Sequence, residues 1–209
     1  MRVTRRGGRL KAEKDGRNGP EEHWCEPCTK EALMWVALVG TREAGREGIA
    51  QRLETALKDV GLRIGGFRQE ALCGSERDRI AGYDLVRVGR AGRVPLARKA
   101  VNPELCEWGF AAEAFRRAQR WLTEEADVRF ATAGRLEAAE RGHWAAIAAA
   151  VEQPGILILS VRPNVLTTIA LRLPDPEDAL ELPASEPDVS EFLLRVVALA
   201  HGRSAQPHS

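Results

Sequence analysis

The chain has 209 residues, of which 44% are hydrophobic, and its 31 basic and 30 acidic side chains give a formal net charge of +1. This length and composition are typical of one soluble globular domain with a flanking tail. The near-neutral balance gives no general reason to expect nucleic acid or an anionic membrane as a partner.

The first 17 residues are an exception, because lysines and arginines far outnumber acids there. We interpret this segment as a solvated tail, with an arm for nucleic acid or a protein partner as the alternative. No apolar run reaches the ~20 residues that a membrane helix needs, and the N-terminus lacks the apolar core of a secretory signal. We therefore expect a cytoplasmic protein without membrane association, whose cysteines are thiols or metal ligands rather than disulfides.

Two cysteines, Cys25 and Cys28, form a C-x-x-C pair shortly after His23. Thiolates at this spacing are able to bind one metal ion such as Zn²⁺, to hold a cluster or to act as a redox dithiol. A complete tetrahedral site would need further ligands from elsewhere in the fold or from a second chain, because no second C-x-x-C follows. We favour an incidental pair of thiols and keep metal binding and redox chemistry as alternatives.

An apolar run at residues 33–39 ends at Gly40, and a loop then leads into apolar residues at helical spacing up to Val60. This pattern predicts a strand, a glycine loop and a helix. The loop has the spacing of the phosphate-binding motif GxxxxGK[ST], in which backbone N–H groups and a helix N-terminus bind phosphates. Gly40 and Gly45 occupy its glycine positions.

Arg46 and Glu47 occupy the lysine and hydroxyl positions of that motif, and Gly48 follows them. An arginine keeps the positive charge of the lysine but not its shape. A carboxylate about 4 Å from a phosphate oxygen is repelled by roughly 4 kcal/mol at an effective dielectric near 20. Glu47 therefore opposes ordinary triphosphate binding unless a cation lies between the two charges.

The middle of the chain predicts a β-hairpin followed by a helix and a strand. Residues 62–70 indicate a short strand with a bend or a bulge at the two adjacent glycines, and residues 83–88 indicate its partner. Residues 95–103 are interpreted as irregular. An apolar face at helical spacing predicts a helix over residues 111–125, and a weaker strand follows at residues 128–132.

The last third of the chain contains a second strongly apolar strand at residues 155–161, preceded by a helix over residues 143–153. We expect an edge strand at residues 165–173 and a loop at residues 174–187, which are rich in proline and acids. Asp188 or Ser190 is predicted to cap a final helix that ends near Ala200.

Strands that alternate with helices and are apolar on both faces predict a parallel sheet in an α/β sandwich. Ligands bind at the carboxyl ends of the strands in such sheets. This arrangement predicts that residues 40–48, residues 133–137 and Arg162 lie near one another, with Arg162 as a candidate cation for a bound phosphate.

The order of short motifs along the chain resembles the small nucleoside triphosphatases of the thermophile and cancer-related type. It also resembles an uncharacterised bacterial branch of them, some members of which are encoded beside molybdenum-transport genes. The motifs are the GxxxxG loop, GGFRQE at residues 65–70, GYDLV at residues 82–86, PLAR at residues 95–98 and GRLE at residues 134–137.

This resemblance covers about residues 33–173 and implies a three-layer P-loop sandwich with a mainly parallel sheet and a β-hairpin insertion. It also implies magnesium-dependent hydrolysis of nucleoside triphosphates. We divide the chain accordingly into a basic tail at residues 1–31, a P-loop domain at residues 32–173, and an acidic loop with a C-terminal helix at residues 174–209.

Carried over residue by residue, the resemblance places the Walker B acid and the carboxylate after it at Ala131 and Thr132, so both acids are missing. A rescue would use Glu47 as a magnesium ligand and Glu137 as a displaced catalytic acid. Otherwise Glu137 and Glu140 are interpreted as part of a solvated helix face.

Three hypotheses about function follow. We favour a P-loop protein that has lost metal-dependent hydrolysis and serves as a catalytically dead scaffold or as a binding or accessory protein for a nucleotide, an anion or an unknown protein partner. The resemblance alone links it to metal or cofactor (molybdenum) homeostasis. The second hypothesis is an active nucleoside triphosphatase with an altered Mg²⁺ site. The third is a metal-binding protein built on Cys25 and Cys28.

Overall fold

The computed structural model describes residues 34–74, 80–99 and 108–204. Strands and helices alternate along these ranges except for four successive strands at residues 64–110 and two successive helices at residues 135–151. The elements are β1 (Trp35–Val39), α1 (Arg46–Asp59), β2 (Ile64–Cys73), β3 (Ile80–Arg87), β4 (Arg93–Lys99), β5 (Trp108–Phe110), α2 (Ala112–Thr123), β6 (Val128–Ala133), α3 (Arg135–Ala138), α4 (Trp144–Val151), β7 (Ile156–Val161), α5 (Pro163–Ala170), β8 (Asp178–Glu181) and α6 (Glu186–Ser204).

The described strands form a single eight-stranded sheet in the order β5-β4-β3-β2-β6-β7-β1-β8. The five strands from β2 to β8 in this order are parallel to their neighbours, and β3, β4 and β5 extend the sheet as antiparallel hairpins beyond β2. The predicted α/β class, with a mainly parallel sheet and a β-hairpin insertion, is confirmed.

Strand β1 shows how the sheet separates two helical layers. Its five residues are all buried and alternate between two apolar clusters. Trp35, Ala37 and Val39 belong to the cluster that includes residues of α2, α4 and α5, whereas Val36 and Leu38 belong to the cluster that includes residues of α1 and α6. The strand is therefore apolar on both faces because a helical layer covers each face.

The two adjacent glycines, at which the sequence predicts a bend or a bulge, mark where β2 changes partners. Residues 64–66 pair with β6 in parallel, and β2 pairs with β3 in antiparallel fashion from Phe67 onwards. Gly66 has a φ of 88°, and a Cβ atom there would lie 2.2 Å from the carbonyl oxygen of Phe130. Only glycine allows the two backbones to approach this closely.

Two predicted segments have a different structure. Residues 165–173 were predicted as an edge strand, but they fall mostly in α5, where Val165 and Ile169 face the core one helical turn apart. Pro163 stands at the first helical position, which favours a helix start. Residues 95–103 were predicted as irregular, but β4 occupies the region up to Lys99 and pairs with both β3 and β5; residues 100–107 lie outside the described ranges.

The loop predicted at residues 174–187 contains β8, which pairs in parallel with β1. The predicted cap of α6 is also wrong. Ser185 precedes the helix, and its hydroxyl donates to the Asp188 carboxylate, which also accepts from the Ser185 backbone N–H. Asp188 is therefore the third helical residue of a capping box rather than the cap itself.

None of the helices in the described ranges is long and apolar enough to cross a membrane.

Candidate functional site

The glycine loop, residues 40–48, connects the carboxyl end of β1 to α1. Gly45 takes a left-handed conformation with a φ of 81°, and its N–H donates to the carbonyl of Arg42. The hydroxyl of Thr41 accepts from the N–H of Ala44 at 3.3 Å. The loop thus forms a turn that delivers the chain to the first residue of α1, Arg46.

Both arginines of the glycine loop interact with the protein itself. The Arg46 side chain is buried, with 6% of the residue exposed, and it donates to the carbonyl oxygen of Gly40 at 3.2 Å. Burial, and then the nearby Arg162 cation, lower the pKa of Arg46. Arg42 donates to the sulfur of Cys73 at 3.2 Å. Arg46 occupies the motif position of the phosphate-binding lysine, but its guanidinium binds the first residue of its own loop.

Glu47 and Gly48 lie in the first turn of α1, and Glu47 is half-buried. A carboxylate there stabilises the helix through the positive end of its dipole. Glu47 also stands at the motif position of the hydroxyl that binds magnesium in a P-loop. The repulsion between Glu47 and a bound triphosphate, which the sequence predicts, therefore still applies.

Arg162 follows β7 and faces the glycine loop across a cleft of about 340 Å³. The cleft is lined by Thr41, Arg42, Glu43, Arg162, Pro163 and Asn164. The structure therefore brings the exposed Arg162 together with the loop at the carboxyl edge of the sheet, as predicted. Residues 134–137, which were predicted to lie there too, line a different cavity. Two cations and one carboxylate line the cleft, which gives it a modest positive balance.

The positions of the Walker B acids lie on β6, and both are buried. Ala131 packs in the apolar core, and Thr132 is 5% exposed, with its hydroxyl accepting from the N–H of Gln69 at 3.3 Å. Thr132 therefore helps to hold β6 to β2 at the point where the two strands separate. No group of three or more His, Cys, Asp or Glu side chains positioned to hold a metal ion occurs in the described ranges.

Glu137 is the candidate whose environment differs most from the expected solvated face. Only 3% of the residue is exposed, and its carboxylate accepts from the N–H of Gly134 at 2.8 Å and from the N–H of His143 at 3.0 Å. The solvated-face interpretation holds for Glu140, which is exposed and paired with Arg172, but it is wrong for Glu137. Glu137 fastens the short helix α3 to the start of α4.

Replacing Glu137 with glutamine is expected to lower the free energy of unfolding by about 2 kcal/mol, because the amide keeps one acceptor where two buried N–H groups need one each. The matched variant Glu140→Gln is expected to stay within about 0.5 kcal/mol of the parent, since its ion pair is exposed. Urea denaturation of both variants measures the difference. Equal stabilities for the two variants would contradict this role of Glu137.

His143 is buried in an aromatic environment that the sequence does not reveal. Its ring centroid lies 4.7 Å from that of Phe67 and 4.8 Å from that of Phe115, and 2% of the residue is exposed. Neither ring nitrogen has a hydrogen-bond partner among the described residues. Burial lowers the pKa of His143 to about 4, so the imidazole is neutral at pH 7.

Acidification is expected to destabilise the fold through His143. Between the ordinary histidine pKa of about 6.5 and the folded value of about 4, the unfolded chain binds a proton that the folded chain does not. This contribution to stability is complete above pH ~6.5 and lost towards pH ~4, with a total near 3 kcal/mol at 1.36 kcal/mol per pKa unit. Urea denaturation at several pH values should show a shallower acid slope for His143→Phe than for the parent. Parallel slopes would contradict the low pKa.

Cys25 and Cys28, the candidate metal ligands, lie outside the described residues, as do His23 and the basic tail. Their metal-binding and redox interpretations remain predictions.

Comparison with known proteins gives information on the fold. No protein-family model and no curated protein matches the sequence. Two solved structures are similar in fold. A human cancer-related nucleoside triphosphatase is 17% identical, with a TM-score of 0.55 over 83% of this chain and 98% of its own. THEP1 from the hyperthermophile Aquifex aeolicus is 14% identical, with a TM-score of 0.53 over 80% of this chain and 99% of its own.

The chain has a P-loop nucleoside-triphosphatase fold. At these identities the similarity establishes the P-loop fold alone. The glycine loop lies between β1 and α1, where a P-loop fold has its phosphate-binding loop. The strand, loop and helix predicted from the sequence are therefore present. What this loop binds depends on its side chains.

The sequence predicted that the glycine loop and Arg162 lie close together, but it gave no sign of the surroundings of His143. Phe67 and Phe115 come from distant parts of the chain, and only the folded topology brings them to the His143 ring. A histidine at a predicted helix start carries no signal of such burial.

Proposed function

We propose that this protein binds a phosphate-bearing ligand, in the simplest case a nucleoside triphosphate, in the cleft between the glycine loop and Arg162, and that it does not hydrolyse that ligand efficiently. The observation that supports this proposal most directly is the Arg46 guanidinium, which is buried and bonded to Gly40 of its own loop. The group that would reach the transferred phosphate is thereby used to hold the loop.

The residues at the expected magnesium positions do not fit that ion. Mg²⁺ prefers carboxylate, carbonyl, hydroxyl and water oxygens in octahedral geometry. Ala131 offers a methyl group in place of the Walker B acid, and the buried Thr132 hydroxyl is bonded to the N–H of Gln69. Glu47 is the nearest carboxylate in the motif, and it stands where a neutral hydroxyl is expected. Phosphoryl transfer depends on charge neutralisation and on an oriented nucleophile, and neither requirement has a clear candidate in this set.

Binding without turnover points to an accessory or regulatory role. The basic side chains Arg42 and Arg162 line the cleft, and the first-turn N–H groups of α1 lack intrahelical partners and favour anions. A role in metal or cofactor homeostasis, including that of molybdenum, is supported by the sequence resemblance alone. Both structural neighbours carry the same fold, and one is named as a nucleoside triphosphatase.

Isothermal titration with ATP and GTP, with and without Mg²⁺, combined with a phosphate-release assay, tests the proposal. We expect binding that does not require Mg²⁺, phosphate release at the level of a protein-free blank, and weaker binding for Arg162→Ala. Arg120→Ala, which removes an exposed arginine of α2, serves as the control and should bind as the parent does. Magnesium-dependent phosphate release that Glu47→Ala abolishes would establish instead an active triphosphatase with an altered metal site.

The C-x-x-C hypothesis has a separate test. Elemental analysis of full-length protein purified without chelators should be compared with that of a Cys25→Ser, Cys28→Ser variant. A bound metal that the double substitution removes would support a metal-binding function.

A further inference from the structure

A second cavity, of about 200 Å³, lies at the carboxyl end of β6 and shares no lining residue with the cleft at the glycine loop. Residues 134–137, which follow β6 directly, belong to its lining. Most of the remaining lining comes from the hairpin strands and α2, and it includes Tyr83, Leu96, Trp108, Phe110 and Phe115. We name it the hairpin cavity. The carboxyl ends of parallel strands form the edge at which α/β sheets bind ligands.

The hairpin cavity has an aromatic wall that is partly open to solvent. The rings of Tyr83 and Trp108 pack against each other with centroids 5.5 Å apart, and those of Phe110 and Phe115 with centroids 6.2 Å apart. Such pairs form a continuous wall and leave no slot for a third ring. Phe110 is 47% exposed, so apolar surface laid against the wall is removed from water. A cavity of roughly 150 Å³ in another protein holds benzene, so about 200 Å³ suits a compact apolar body.

Arg135 adds a cation to this wall. It is the first residue of α3, it is exposed, and its guanidinium has no hydrogen bond or ion pair with another residue of the described ranges. By contrast, the three arginines of α2, whose Phe115 lines the same cavity, all pair with the carboxylate of Glu113. A guanidinium presents paired N–H donors that match the two oxygens of a carboxylate. Arg135 can therefore bind the anionic group of a ligand whose body lies on the wall.

Glu137 limits that anionic group to a single charge. Its carboxylate is buried and bonded to the N–H groups of Gly134 and His143, so it is not a contact for the ligand. Its charge still offsets that of Arg135, and a phosphate monoester, with a charge of about −1.5 to −2 at pH 7, is repelled more than a carboxylate. The ring nitrogens of His143 are also covered by protein and take no part in binding.

We propose that the hairpin cavity binds a small monocarboxylate with an apolar body, whose carboxylate pairs with Arg135 while the body covers the aromatic wall. The site goes beyond the proposed function, because its ligand carries no phosphate and none of its residues lines the cleft at the glycine loop. The wall supplies affinity, and Arg135 selects a carboxylate over a neutral molecule of the same shape.

Hydrocinnamate and its primary amide, hydrocinnamamide, test this site in the full-length protein, because they differ in charge and hardly in shape. Titration followed by nuclear magnetic resonance measures both affinities. At low salt, we expect the carboxylate to bind about fivefold to tenfold more tightly than the amide, and Arg135→Gln to remove most of that preference. The amide should lose less than about twofold in that variant. Arg141→Gln, which changes an exposed arginine outside the cavity lining, is the control and should retain the preference.

A second pair of variants tests the aromatic wall. Phe110→Ala removes apolar surface that both probes cover, so it should weaken the carboxylate and the amide by similar factors. Its side chain is half-exposed, which makes the substitution compatible with folding. Leu171→Ala shortens an exposed leucine outside the cavity lining and should weaken neither probe. Phe110→Ala affinities equal to those of the parent would contradict binding at this wall.

The unmodified protein gives a readout that needs no variant. Raising the salt concentration from roughly 20 mM to roughly 500 mM should reduce the preference for the carboxylate, because ions screen its attraction to Arg135, and should leave the amide almost unchanged. Equal affinities of the parent for the two probes at low salt, or a preference that survives Arg135→Gln, would overturn the proposal.

Arg162→Ala distinguishes this site from the cleft at the glycine loop, where Arg42 and Arg162 also attract anions. Hydrocinnamate binding should be unchanged in this variant. Its loss would place the carboxylate at the glycine loop and overturn the proposal. Because neither probe carries phosphate, a negative result in the nucleotide titration leaves this test unaffected.

Discussion

Replacing Glu47 with alanine is expected to strengthen the binding of ATP in the absence of Mg²⁺, by up to about a thousandfold. The reason is electrostatic: a carboxylate about 4 Å from a phosphate oxygen contributes roughly 4 kcal/mol of repulsion at an effective dielectric near 20. Glu47 is half-buried in the first turn of α1, so solvent screens part of this repulsion and the full factor is an upper limit. Isothermal titration of the parent and of Glu47→Ala measures the gain.

Two further variants separate charge from shape. Glu47→Gln removes the charge with little change of size and should recover most of the gain. Glu43→Ala removes the exposed carboxylate that lines the cleft, and it should also strengthen ATP binding, by a smaller factor because solvent screens an exposed charge. A carboxylate that ligates Mg²⁺ would behave in the opposite way, because Glu47→Ala would then weaken ATP binding when the ion is present. Weakened binding in magnesium would therefore contradict the proposal of a degraded site.

The strands that are apolar on both faces were predictable from the sequence, and the reason lies in β1 and β7. β1 is an unbroken apolar run that ends at Gly40, and β7 is apolar apart from Ser160 and ends at Arg162. All residues of both strands are buried. Such runs fit a central parallel strand covered by helices on both sides. The glycine loop was also predictable, because the spacing of its glycines is a local feature that does not depend on distant contacts.

Segments with short apolar runs were harder to predict, because periodicity is ambiguous in them. Val165 and Ile169 are four residues apart, as in a helix, but the intervening Leu166 and neighbouring threonines fit a strand equally well. The protein resolves this ambiguity through packing against the core. β8 was missed for a similar reason, since its four residues have one buried side chain and gain their structure from pairing with β1.

The buried polar side chains could not be predicted, because burial depends on the whole fold. Glu137 and Glu140 have the same chemistry and lie three residues apart, yet one accepts two backbone N–H groups in the interior and the other pairs with Arg172 at the surface. Nothing in the local sequence distinguishes them. The environment of His143 has the same origin, since it depends on residues brought together from β2 and α2.

Replacing Phe192 with alanine is expected to lower the free energy of unfolding by about 3–5 kcal/mol, as for other fully buried phenylalanines. Phe192 lies on α6, is 0% exposed, and belongs to the apolar cluster that includes Leu38 of β1 and Leu53 of α1. The side chain thus helps to pack the C-terminal helix onto the face of the sheet that α1 also covers. Urea denaturation followed by tryptophan fluorescence measures the change.

The control for this prediction lies on the same helix. Leu194 is 69% exposed, and Leu194→Ala should change stability by less than about 0.5 kcal/mol, because alanine is at least as good a helix former as leucine and little apolar contact is lost. If the C-terminal helix were an appendage of the P-loop domain, Phe192→Ala would behave like Leu194→Ala and leave the main unfolding transition in place. A single transition shifted to lower urea by Phe192→Ala alone would instead show that α6 unfolds together with the sheet. The C-terminal helix would then be part of the layer that holds β1, and with it the glycine loop, in position.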